Sequence, residues 1–170
     1  MSGIAGSKTA IRDELERIEE DCIHSGKAQF NAGVRWSRYH LLLGVPAVIL
    51  SALAGAAFFR DYPEIAGAMS TVVAILTALS TFLKPAERAA SHKGSGDQYL
   101  ALRNDARVLR TIKLDGACDE GAAIGNLDEI TKRRNELNQA SAQPTRRDFE
   151  KARKGIDEGE ATHRIDRKAI

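Results

Sequence analysis

The chain has 170 residues, 43% of them hydrophobic and 28% charged, and a formal net charge of only +2. Acids and bases so nearly balanced exclude a general nucleic-acid binder, which concentrates positive charge, and no nucleic acid is expected as a direct ligand. The slightly negative mean hydropathy conceals two apolar stretches, and membrane insertion is decided by local windows, not by the average.

Residues 1–40 are mostly polar and helix-forming, so no cleaved leader is expected ahead of the first apolar run. Within them Ile11, Leu15, Ile18 and Cys22 recur at spacings of four and three, a narrow apolar stripe on a charged helix that needs a partner. Ser25 and Gly26 are expected to loosen this helix. Lys27 to His40 contains no proline and runs directly into the next segment.

Leu41 to Phe59 and Ile65 to Leu83 contain no Asp, Glu, Lys, Arg or His. Each is long enough to cross a bilayer as a helix, which takes roughly 20 mostly apolar residues. Residues 60–64, Arg-Asp-Tyr-Pro-Glu, suffice only to turn the chain around, so two adjacent, antiparallel spans are expected. Pro46 cannot donate to the carbonyl of Leu42 and is expected to bend the first span near its start. Gly44, Ser51 and Gly55 fall on one face of that span with Val48. In the second span Gly67, Ser70, Ala74, Thr77 and Thr81 gather on one side, opposite Val72, Ile75, Leu76, Leu79 and Leu83. Small and hydroxylated faces let helices approach closely in lipid. Two readings stay open: the faces zip the two helices together within one chain, or the Ser70, Thr77 and Thr81 face packs between chains or lines a polar path.

Pro85 suits the first turn of a new helix, where its missing N–H costs nothing, and a kink is expected near Lys84. From there to Leu114, Tyr99, Leu102, Ala106 and Leu109 continue a spacing of three and four suited to packing on the N-terminal helix, the two forming an antiparallel stalk. Residues 115–126 are glycine-rich and aperiodic and read as a loop. Asn126 with Glu129 three residues on resembles a capping box, followed by Leu127, Ile130 and Leu137 on one face. That helix is expected to end near Ala140, Gln143-Pro144 to break it, and Phe149, Ala152 and Ile156 to mark a further short helix. Residues 159–170 carry no apolar period and read as a mobile charged tail.

Arg35 and Arg38 precede the first span and Lys84, Arg88 and Lys93 follow the second, whereas Arg60 in the connection is outweighed by Asp61 and Glu64. Basic flanks stay in the cytoplasm, so both termini are expected there, where Cys22 and Cys118 would be reduced. Trp36, Tyr39 and Tyr62 mark the membrane interfaces. No catalytic constellation is found. Gly116, Gly121 and Gly125 lack the Lys-Ser or Lys-Thr of a phosphate loop. Cys22 and His24, two apart on a helix, point to different faces, and His40, His92 and His163 lack a ligand pair, so no metal and no cofactor are expected. Arg103, Arg107 and Arg110 form a basic stripe that either binds phosphate or is neutralised by Asp13, Glu14, Glu16, Glu19, Glu20 and Asp21. The pairing or a solvated face is preferred.

Three stretches of the first half, Ser25-Gly-Lys-Ala-Gln-Phe, Trp36-Ser-Arg-Tyr-His-Leu-Leu-Leu-Gly-Val-Pro and Ser51-Ala-Leu-Ala-Gly-Ala-Ala, resemble the SLATT domain. That domain is a two-transmembrane effector associated with SMODS nucleotidyltransferases and SLOG sensors. Thr81-Phe-Leu-Lys-Pro-Ala-Glu-Arg-Ala-Ala-Ser-His-Lys and Gly96-Asp-Gln-Tyr-Leu-Ala-Leu-Arg-Asn-Asp-Ala-Arg are similar to its segment after the second span, and the likeness runs to about Ile156. The resemblance implies a single SLATT-like unit over residues 1–158, an all-α membrane protein with a transmembrane hairpin and helical extensions. It also implies a non-enzymatic bacterial conflict or antiphage effector that oligomerises in the inner membrane and permeabilises it. The trigger would come from a separate sensor, a nucleotidyltransferase or its nucleotide product. No site residues carry over. The competing expectation is a membrane anchor or adaptor that tethers a cytosolic partner.

Overall fold

The computed structural model describes residues 2–114, 116 and 119–162, with side chains from Ser7 onward. Among them every regular element is helical: α1 (Ser2–Phe59), α2 (Pro63–Leu83), α3 (Pro85–Val108), a π-helical turn (Leu109–Lys113), α4 (Glu120–Ala140) and α5 (Arg146–Asp157). The chain divides into two compact units: Met1–Ala32 with Ser91–Ile170, and Gly33–Ala90.

The first unit has a conventional core. The α1 stripe of Ile11, Leu15, Ile18 and Cys22 is buried with Tyr99, Leu102, Ala106 and Leu109, joined by Leu114 and by Ala123, Ile130 and Leu137 of α4. Lys8 Nζ donates to the Leu114 carbonyl at 3.2 Å, Arg110 Nε to Glu19 Oε1 at 2.6 Å, and Gln29 meets His92. Positions on α1 rise as their partners' numbers fall, so the two segments run antiparallel within this unit. Ser25 and Gly26 do not loosen α1, which is helical throughout. Gly26 instead admits α3: a Cβ there would lie 3.3 Å from Tyr99 Cβ, and one on Gly96 only 2.9 Å from the Phe30 ring.

The π-helical turn has no counterpart in the sequence reading. Leu114 N–H donates to the Leu109 carbonyl at 2.9 Å, which widens the turn so that two leucines five residues apart both face the core. An α-helix would set them about 140° apart.

The expected loop over 115–126 is shorter than read, because α4 begins at Glu120 with Asp119 as its N-cap and not at Asn126. Ala123 extends the stripe of Leu127, Ile130 and Leu137 by one turn and is fully buried. Gly121 and Gly125, each costing about 1 kcal/mol in a helix, lie inside α4 all the same. A capping box does form one helix later: Thr145 Oγ1 accepts from the Asp148 N–H at 3.3 Å and Asp148 Oδ2 accepts from the Thr145 N–H at 3.0 Å. Asp148, Ala152 and Gly155 line the buried face of α5, while Phe149, expected inside, is exposed. Gly159, Glu160 and Thr162, read as the start of a tail, donate backbone hydrogen bonds, and Glu160 pairs with Lys27. Residues 163–170, Asp115, Ala117 and Cys118 lie outside the described residues.

In the second unit, Arg60 to Tyr62 join α1 to α2, with Asp61 in the left-handed region at φ 60° and Pro63 opening α2 two residues ahead of the apolar run. α1 remains helical through Pro46. Lys84, at φ 47° and ψ 52°, breaks the chain between α2 and α3, where the kink is expected, and its N–H caps the Ser80 carbonyl. The two helices bearing the apolar runs are long and apolar enough to cross a membrane, and only 6% of either apolar window is buried.

Candidate functional site

The small residues of the two apolar segments meet near the connection. Ser51 and Gly55 from α1 and Gly67 and Ser70 from α2 line one open groove of about 480 Å³, together with Phe58 and Val73. The buried contacts at its floor are Ala54 and Ala66, both 7% exposed. Neither alanine stands out in the sequence, because alanine is common throughout both runs; the cue is only that each precedes one of the two glycines. Gly44, Ala74, Thr77 and Thr81 do not line this groove. Ser51, Gly55, Gly67, Ser70, Ala74, Thr77 and Thr81 are all exposed, and Gly44 is half-buried.

The glycines are not pinched between the two helices. A Cβ added at Gly44, Gly55 or Gly67 would meet nothing within 4 Å. Within one chain the close approach therefore rests on alanines, and the glycine and hydroxyl surface remains uncovered. Thr71 returns its hydroxyl to the Gly67 carbonyl at 3.0 Å, the usual way for a threonine on an apolar helix to satisfy its donor.

A second cluster occupies the opposite end of the same unit. The Arg88 guanidinium lies 4.7 Å from the centroid of the Trp36 ring and that of Arg35 5.5 Å away. Tyr39 meets Trp36 edge-on at 5.6 Å. Trp36 and Tyr39 thus stand together as the sequence places them, and the two arginines gathered on the indole come from helices far apart in the chain.

The first unit holds a cavity of about 560 Å³ bounded by Asp21, Cys22, His24, Tyr99, Arg134 and Arg153, among others. Cys22 belongs to the core, and burial, reinforced by Asp21, pushes its thiol up to about 11. A thiol so protonated is a poor nucleophile and metal ligand. Burial also raises the Tyr99 phenol, whose O–H donates to Asn138 Oδ1 at 2.7 Å. Arg134 bridges to Asp21 at 3.3 Å, and its Nε is buried without a partner among the described residues. No group of three or more His, Cys, Asp or Glu side chains gathers closely enough among the described residues to hold a metal ion. His92 is buried, its Nδ1 beside Gln29 Oε1; because Gln29 Nε2 donates to the Ala142 carbonyl at 2.8 Å, its Oε1 is the acceptor and His92 Nδ1 carries the proton.

The basic stripe is divided. Arg110 forks onto Glu19, with Nε at 2.6 Å and Nη2 at 3.3 Å, and Arg107 donates to Asn104 at 2.8 Å. Arg134, which the sequence does not single out, takes Asp21. The acids of α1 thus meet cations from two different helices. The chain matches no family model, and comparison with curated proteins and with solved structures finds no significant match.

Proposed function

We propose that the protein is an oligomeric membrane effector whose two apolar helices form a transmembrane hairpin and whose copies together permeabilise the bilayer. This reading places it in the bacterial inner membrane as a SLATT-like effector of a conflict or antiphage system, with both termini cytoplasmic and the first unit as the cytosolic body. A separate sensor or nucleotide signal would activate it. The observation that carries the reading is the uncovered small and hydroxylated surface of α1 and α2. In lipid such a surface finds its best contact on another helix, because small residues allow close packing and lipid chains offer no competing hydrophobic gain. Two helices cannot enclose a path, so permeation requires several copies in closed symmetry. The hydroxyls of Ser70, Thr77 and Thr81 would lower the cost of a hydrated path, and the absence of charge within either run argues for weak ion selectivity.

The test is efflux of a trapped dye from liposomes holding the purified protein. Replacing Ser70 by Ala and Thr77 and Thr81 by Val removes the hydroxyls while keeping the span apolar and similar in volume, and should suppress leakage while insertion and oligomer size persist. Liposomes that stay tight with inserted, oligomeric and triggered parent protein would favour the anchor or adaptor instead.

A further inference from the structure

We propose that Lys27, Lys151 and Gly155 form a binding site for the phosphate group of a small phosphate monoester, and that Glu160 is a tethered competitor occupying it. All four residues belong to the first unit, so the inference stands apart from the membrane reading. The Lys27 side chain, on α1, is only 20% exposed, and its ammonium takes its anion from beyond the end of α5, where Glu160 Oε2 lies 2.5 Å from Nζ. Gly155 makes the room for this pair. A Cβ there would fall 2.5 Å from Glu160 Oε2 and 3.3 Å from Lys27 Nζ, so the carboxylate rests against the α5 backbone in space that a methyl group would fill.

Two features mark Glu160 as an occupant of the site. Its side chain is 64% exposed, and it follows the left-handed turn at Gly159 (φ 85°), outside the helix. Its N–H caps the Gly155 carbonyl at 3.0 Å, so the carboxylate can swing out while the backbone stays in place. Charge selects the ligand. The adjoining cavity of about 480 Å³ is bounded by Lys27, Lys151 and Lys154 against Glu158 and Glu160, three cations to two anions. Lys154 faces Glu158 at 3.8 Å, whereas Lys151 has no hydrogen-bond or ion-pair partner of its own among the described residues. The hydrogen bond and charge of Lys27, followed by the charge of Lys151, hold the Glu160 carboxyl below its ordinary value. One carboxylate thus serves two ammonium groups. A phosphate dianion in its place balances both and brings more acceptor oxygens. The cavity is larger than a phosphate group alone, and Phe30 and Ala152 give it an apolar wall for the organic part of an ester.

The test is calorimetric titration of the full-length protein in detergent with phenyl phosphate, inorganic phosphate and acetate, at pH 8 and fixed ionic strength. A tethered carboxylate competes at an effective concentration on the order of millimolar, so Glu160→Gln should tighten phenyl phosphate binding about tenfold or more. In that background Lys151→Gln and Gly155→Ala should each weaken it about tenfold or more. Gly155→Ala changes no charge and meets only the flexible ends of Glu160 and Lys27, while Lys151→Gln adds no bulk, so the two probe the site independently. Lys132→Gln, on an exposed side chain of α4, should change nothing. Equal affinity in the parent and Glu160→Gln overturns the proposal, as does binding that survives both Lys151→Gln and Gly155→Ala, or no binding to either protein. Acetate binding as tightly as phenyl phosphate would overturn the choice of phosphate. Inorganic phosphate binding as tightly as the ester would overturn the ester and leave free phosphate as the ligand.

Discussion

Gly94 and Gly96 lie two residues apart on α3 and should answer oppositely to a methyl group. A Cβ on Gly94 meets nothing within 4 Å, so Gly94→Ala only removes backbone freedom from the unfolded chain. It should stabilise by about 0.5–1 kcal/mol. A Cβ on Gly96 would lie 2.9 Å from Phe30 Cε1, and Gly96→Ala should destabilise by about 1–3 kcal/mol through overpacking. Urea unfolding of the two variants in detergent reads both signs; equal shifts would refute the close approach of α1 and α3 at this point. Nothing in the residues around either glycine distinguishes them, because the difference is made by Phe30, more than sixty positions away.

Cys22 offers a test at the same scale. Its folded thiol is raised from 9.0 to about 11, so the folded state disfavours the thiolate. The resulting stability is present in full below the unfolded value and is lost as pH climbs from about 9 towards 11. In a Cys118→Ser background the folded protein at pH 8 should react with a maleimide at least about tenfold more slowly than the urea-unfolded chain. Equal rates would mean that the thiol is not buried. Its place in the Ile11, Leu15, Ile18 stripe is legible from spacing alone, whereas its neighbours Asp21 and Arg134 are brought together only by the fold.

Among the elements, periodicity is legible where one apolar stripe meets one partner. The stripes of α1 and α3 are buried residue for residue as their spacing predicts. It fails where tertiary contact accompanies weak local signals: α4 starts seven residues before the expected 127, with Ala123 packed in the core, and the π-helical turn answers to the spacing of Leu109 and Leu114, which no helical template contains. The small faces of α1 and α2 are visible in sequence, but which of their members touch is not, since Ala54 and Ala66 are chemically indistinguishable from their neighbours. This yields a prediction about α1 and α2. Because the space beside Gly55 and Gly67 is open within the chain, Gly55→Leu and Gly67→Leu should leave the single chain folded. Each should nonetheless reduce cross-linked oligomers, by about 1 kcal/mol or more per lost contact between copies. Cross-linking like that of the parent would leave the glycine surface facing lipid.

For the whole molecule, the central claim is that the second unit crosses the membrane twice. A helix exposed to water would keep its apolar residues against a core, yet Leu42, Val48, Phe59 and Phe82 are each more than 60% exposed. The division into two units follows the same physics. One is held by a core of its own, and the other displays its apolar surface outward, as a segment solvated by lipid does. The most direct measurement fuses a reporter active only in the cytoplasm, and separately one active only in the periplasm, to Ile170 and at Asp61 in bacterial cells. Two spans with cytoplasmic termini predict cytoplasmic activity at Ile170 and periplasmic activity at Asp61. Periplasmic activity at Ile170, or cytoplasmic activity at both positions, would contradict the account.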